Sequence, residues 1–153
     1  QDQLQLDGVA TAQMNGAALM VSALFTFVVQ ITIMQRVKAP PKVFIRSGLA
    51  LLGVGALFIA AFSSFLTLAL GMAVFGTGLG LALPASTAGA SLAVAPEDQG
   101  AAAGVISACP AVGFVTGPVA GGLLYPLSPI APTLCGAAIF FLTLILLTLT
   151  SRS

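Results

Sequence analysis

The chain has 153 residues, of which 58% are hydrophobic and only 6% charged, whereas a soluble domain carries roughly 25% charged residues. Five Lys or Arg and four Asp or Glu cannot cover a water-soluble globule of this size, so lipid must be the main solvent. A net charge of +1 leaves no basic field for nucleic acid, and Cys109 and Cys135 make neither a disulfide framework nor a zinc site.

The charges fall in clusters. Asp2 and Asp7 come first, then Arg36, Lys38, Lys42 and Arg46, then Glu97 and Asp98, and finally Arg152. The uncharged interval 8–35 is long enough for one helical crossing of about 20 residues, and the intervals 47–96 and 99–151 for two each. Long apolar stretches without alternation favour helices over barrel strands, so the expected fold is an all-α membrane protein with five transmembrane helices.

In chain order, residues 1–11 read as a polar extracytoplasmic segment and 12–34 as the first helix. A basic cytoplasmic loop at 35–43 contains Pro40 and Pro41, which break the helix. The second helix is expected at 44–62, ending before Ser63-Ser64, and the glycine-rich third at 65–94. Pro96-Glu97-Asp98 opens a fourth helix at 97–125, because proline and acidic residues suit a first helical turn. The fifth covers 133–150. All five cations then lie on one face of the membrane, which puts residues 35–46 and the C-terminus in the cytoplasm and the N-terminus outside. Opposite-facing termini and an initial Gln without a signal-peptide flank lead to the expectation of a piece that starts mid-protein.

Glycine accounts for 17 residues, concentrated in helices three and four. Gly113, Gly117 and Gly121 recur on one helical face, and Gly71, Gly78, Ala82, Ala85 and Gly89 form a second smooth stripe. Such faces let backbones meet in lipid, and two readings follow: close packing alone, or surfaces on which bundles slide during alternating access. Pro84, Pro110 and Pro118 lie at membrane depth and deprive the Gly80, Ile106 and Phe114 carbonyls of their helical donors. Kinks are expected there, either as a packing solution or for gating.

The stretch GFVTGPVAGG, Gly113 to Gly122, resembles the GxxxGPxxGG element of major facilitator superfamily antiporters, with Gly113, Gly117, Pro118, Gly121 and Gly122 at the motif positions. Phe75 to Ala108 is similar to the tenth helix, acidic turn and eleventh helix of bacterial drug-efflux members. Met72 stands four residues before Gly76, where the first half of such proteins carries an arginine. QRVKAPPKVFIRSG keeps the cations Arg36, Lys38, Lys42 and Arg46 of the loop pattern GxLxDRxGRK but lacks its aspartate and inner glycine. Both departures align residues 12–150 with helices eight to twelve, a partial major facilitator fold with an N-terminal half to be supplied upstream.

The resemblance implies a secondary transporter in a bacterial inner membrane, exporting small amphipathic compounds against protons, with the lipid bilayer, the missing half and the small-molecule substrate as partners. It places helices one, three and four at a central cavity and helices two and five outermost. Asn15, Gln30, Met72, Phe75 and Phe114 are the expected substrate-contacting residues: amides to orient a ligand, a thioether and aromatic faces for apolar bulk. Cross-helix bonding without a ligand is the alternative for the amides. No predicted span holds a mid-membrane charge, so proton coupling is expected in the absent half. Glu97 and Asp98 serve either the dipole of helix four or a cytoplasmic gate.

No catalytic constellation, metal site or cofactor is expected. GTGLGLALP lacks the lysine of a phosphate loop, and Leu81 stands where a dinucleotide fingerprint needs its third glycine. The rival reading is a non-transporting membrane scaffold whose glycine faces only hold partners together.

Overall fold

The computed structural model describes residues 8–61 and 63–150. Asp2, Asp7, Phe62 and Arg152, and with them the N-terminal polar segment up to residue 7, lie outside the described residues. The fold is all-helical: α1 Gly8–Arg36, α2 Pro41–Ala60, α3 Phe65–Ser91, a short 3-10 turn Pro96–Asp98, α4 Gln99–Leu124 and α5 Ala131–Thr150. Together with the 3-10 turn on α4, all five helices are long and apolar enough to cross a membrane. At 1.5 Å per residue α1 reaches about 43 Å, more than the roughly 30 Å hydrocarbon layer.

Local chemistry sets the helix ends. Pro40 adopts an extended backbone (φ −58°, ψ 144°) and Pro41 takes the first helical position, where a missing N–H costs nothing. The prolines therefore end one helix and begin the next, and the connector is shorter than the 35–43 expected: Lys42 and Arg46 stand in the first two turns of α2 rather than in a loop. Ser64 caps α3 by accepting from the Thr67 N–H at 3.3 Å, while the Thr67 hydroxyl accepts from the Ser64 N–H at 3.1 Å. This is a capping box with threonine in the glutamate position. Both α3 and α4 continue through their internal prolines.

α3 is the centre of the bundle, touching α1, α2 and α4, and α5 packs on α2. Its glycines make this possible on two sides. Gly71, Gly78 and Gly89 face α2: a Cβ on Gly78 would stand 2.8 Å from the Gly48 carbonyl and from the Leu52 nitrogen, and one on Gly48 would meet Ala82. Gly76 and Gly80 face α1, where a Cβ on Gly76 would collide with the Ser22 backbone and one on Gly80 with the Thr26 carbonyl. In the run Gly76-Thr77-Gly78-Leu79-Gly80, alternate residues are about 200° apart on a helix, so the outer two serve one neighbour and the middle one the other.

α5 seats one face on α2. Phe141 fills the notch at Gly53, where a Cβ would stand 2.7 Å from its ring, and Ala137 is buried. Its other face, including Ile139, Leu142, Ile145 and Leu149, is exposed. α4 buries no residue. A Cβ on Gly113, Gly117, Gly121 or Gly122 would meet nothing within 4 Å, so the motif stripe packs on no described element.

Candidate functional site: a cavity between α1, α3 and α4

A cavity of about 720 Å³ opens between α1, α3 and α4, lined by Gln30, by Leu83, Pro84, Ser86 and Thr87, and by Ile106, Ser107, Cys109 and Pro110. Two membrane-depth prolines from different helices meet at it. Pro110 leaves the Ile106 carbonyl, on a cavity-lining residue, without its normal helical donor, and Pro84 does the same for Gly80. Among the described residues no side-chain donor reaches either oxygen.

The side chains add to this acceptor character. The Ser86 hydroxyl donates to the Ala82 carbonyl at 2.8 Å, and that of Thr87 to the Leu83 carbonyl at 3.3 Å. Their protons are thus used within α3, and their lone pairs remain for the cavity. Gln30 is half-buried and, like Ser107, makes no side-chain hydrogen bond among the described residues. An amide in that position finds its partner in water or a ligand. Among the described residues no charged side chain lines the cavity.

Of the five residues expected to contact substrate, Gln30 alone lies on this cavity. Phe75 turns the other way: its ring packs edge-on against Phe140 of α5, centroids 5.9 Å apart, and its backbone abuts Gly55 of α2. The reason is that Gly55, lacking a side chain, draws that flank of α3 against α2. Met72 is half-buried one turn before Gly76, on the flank towards α1, and Asn15 is exposed near the far end of α1. Phe114 is 81% exposed, one turn beyond Pro110 on α4. Ser86, Thr87, Ser107 and Cys109 were not expected. The signal available for them is polar or thiol side chains within three residues of a membrane proline.

At the end of the bundle that carries the cations, Arg36 closes α1, Lys38 lies in the connector, and Arg46 is half-buried and donates to the Leu147 carbonyl of α5 at 3.5 Å. Glu97 and Asp98 are exposed in the 3-10 turn before α4, where their charge complements the helix dipole, although Asp98 makes no side-chain cap. They form no ion pair among the described residues.

A family model described as Major Facilitator Superfamily matches residues 2–153. The chain belongs to the major facilitator superfamily. No individually curated protein and no solved structure matches it significantly. Five apolar helices with α3 at their centre are a partial major facilitator fold, and membership makes this a multi-pass membrane protein of a transporter superfamily. Major facilitator proteins move solutes rather than transform them, consistent with a non-enzymatic role, and membership does not favour the scaffold reading.

Proposed function

We propose that the chain forms part of a proton-coupled exporter of small amphipathic compounds, in which the cavity between α1, α3 and α4 contributes one wall of the substrate path. The observation that carries this reading is a cavity at two membrane-depth prolines that no charged side chain lines among the described residues, with a half-buried amide, Gln30, that has no partner among them. A scaffold would gain nothing from leaving an amide and the proline-freed Ile106 carbonyl unsatisfied beside an open volume. Met72 and Phe114, on the flanks of α3 and α4 that lead away from the cavity, extend its apolar surface, with Asn15 towards the opposite membrane face. Proton coupling resides elsewhere in the transporter, since no membrane-depth carboxylate stands on the described helices. The smooth face of α4, with Gly113, Gly117, Pro118, Gly121 and Gly122, receives further helices of the complete carrier. The end of the bundle that carries Arg36, Lys38 and Lys42 is cytoplasmic in a bacterial inner membrane, the N-terminus being on the other side.

The deciding experiment is accessibility. With Cys109 and Cys135 replaced by Ala, Q30C in the membrane-embedded transporter should react with a water-soluble, membrane-impermeant thiol reagent, and a cysteine at the lipid-facing Leu142 should not. Failure of Q30C to react from either side would end the transport-path reading. Proton coupling predicts uphill export that collapses when the pH gradient is dissipated. Export unaffected by that treatment would refute the coupling and leave the cavity assignment standing.

A further inference from the structure

We infer that the cation-bearing end of the bundle holds an anionic phospholipid, with Arg36, Lys38 and Lys42 on its phosphate and a separate cavity beside Pro41 receiving the start of an acyl chain. This second cavity, of about 300 Å³, lies between the start of α2 and the end of α3 and is lined by Pro40, Pro41, Lys42, Gly89, Leu92 and Ala93. It is separate from the cavity of α1, α3 and α4, sharing no lining residue with it.

Three observations select the occupant. First, Arg36, Lys38 and Lys42 are exposed within a stretch of seven residues, and among the described residues none of them forms an ion pair. Glu97 and Asp98, at the same end of the helices, leave them unneutralised. Second, the cations alternate with exposed apolar side chains, Val37 and Val43, and Leu92 is 75% exposed at the rim of the cavity. A soluble anion or a protein carboxylate would use the charges and leave these groups in water, whereas a phospholipid has an anionic head and an apolar continuation at the same depth. Third, the site is stiff. Pro40 holds the end of the connector extended and Pro41 opens α2, and Phe44, Ile45 and Ala39 pack into the cluster around Val29, Leu81 and Ala85, so the cations gain a phosphate without first ordering a loop. The inference requires only that the helices span a bilayer, and it is independent of what the transporter carries.

The chain has no tryptophan, so L92W introduces a single reporter at the cavity rim. The purified protein carrying L92W, reconstituted in vesicles, should show stronger quenching by phosphatidylglycerol brominated near its headgroup than by equally brominated phosphatidylcholine at the same mole fraction. Each Lys or Arg near an anionic surface contributes enough for about a fivefold change in partition, so R36Q/K38Q/K42Q should cut the preference at least tenfold, with helical content unchanged by circular dichroism. Should the triple variant fail to fold, K38Q and K42Q singly must each reduce it. Equal quenching by the two lipids, or a preference surviving loss of the cations, overturns the proposal. Abolition of the preference by millimolar inorganic phosphate would identify a soluble-anion site, and its abolition by E97Q/D98Q a carboxylate-dependent one. Either result also refutes the lipid assignment.

Discussion

Gly76 and Gly117 are chemically identical and both stand in apolar helices, yet their surroundings assign them opposite tolerances. A methyl group on Gly76 meets the Ser22 backbone, which cannot rotate away, so G76A should destabilise the chain by about 1–3 kcal/mol in a detergent unfolding titration. At Gly53 the obstruction is the far end of the Phe141 side chain, and G53A should cost less than G76A. G117A meets nothing and gains helix propensity of up to about 1 kcal/mol. In a complete carrier whose further helices cover α4, G117A should instead be damaging, and comparison of the two settings checks that proposal. The Thr26 hydroxyl lies 2.9 Å from the Ser22 carbonyl of its own helix and 2.8 Å from the Gly76 carbonyl of α3. T26V keeps the shape and removes the cross-helix bond, for an expected loss of about 0.6 kcal/mol in the same titration.

At the scale of elements, the helices differ in what holds them. α2 and α3 share an interface in which Gly48, Gly55, Gly71 and Gly78 admit backbone or side chain from the other helix, whereas α4 buries nothing. Opening of α4 should therefore cost least, and hydrogen exchange of the reconstituted chain should show its central amides less protected than those of α3. Protection of α4 equal to that of α3 would contradict this ranking. The α2–α5 pair adds a polar tie, since the Arg46 guanidinium reaches the Leu147 carbonyl near the α5 C-terminus, where the helix dipole favours a cation. R46M should loosen the end of α5 by about 1 kcal/mol, read as faster exchange over its final turn, while α1 and α3 remain unchanged. The extent of α2 shows the limit of reading proline only as a breaker: Pro41 opens a helix because its preset φ suits the first turn.

For the molecule as a whole, the native Cys109 reports whether the cavity is wetted. Cys109 lines the cavity of α1, α3 and α4, while Cys135 is exposed near the start of α5, away from that cavity. In a bilayer Cys109 faces water if the cavity is a transport path. In a C135A background a membrane-impermeant maleimide should modify Cys109 at least about tenfold faster than a cysteine placed at mid-helix Leu142 of α5 with Cys109 also replaced, because thiolate formation needs water. Equal rates in intact vesicles would argue against a wetted cavity.

The five helices, their membrane solvent and the family were legible in the linear chain, because each depends on a property that survives unfolding: the length of uncharged intervals, the clustering of Arg36 to Arg46, and the Gly113 to Gly122 motif. The stripe Gly71, Gly78, Ala82 was visible as well, since four- and seven-residue spacings need only the helical repeat. Where Phe75 points was not, since that depends on Gly55 of another helix, and neither was the union of Pro84 with Pro110 beside Gln30. Helical period says which residues share a face, but which neighbour a face meets is decided only when backbones close against one another, and glycine, having no side chain, permits that closure on any side.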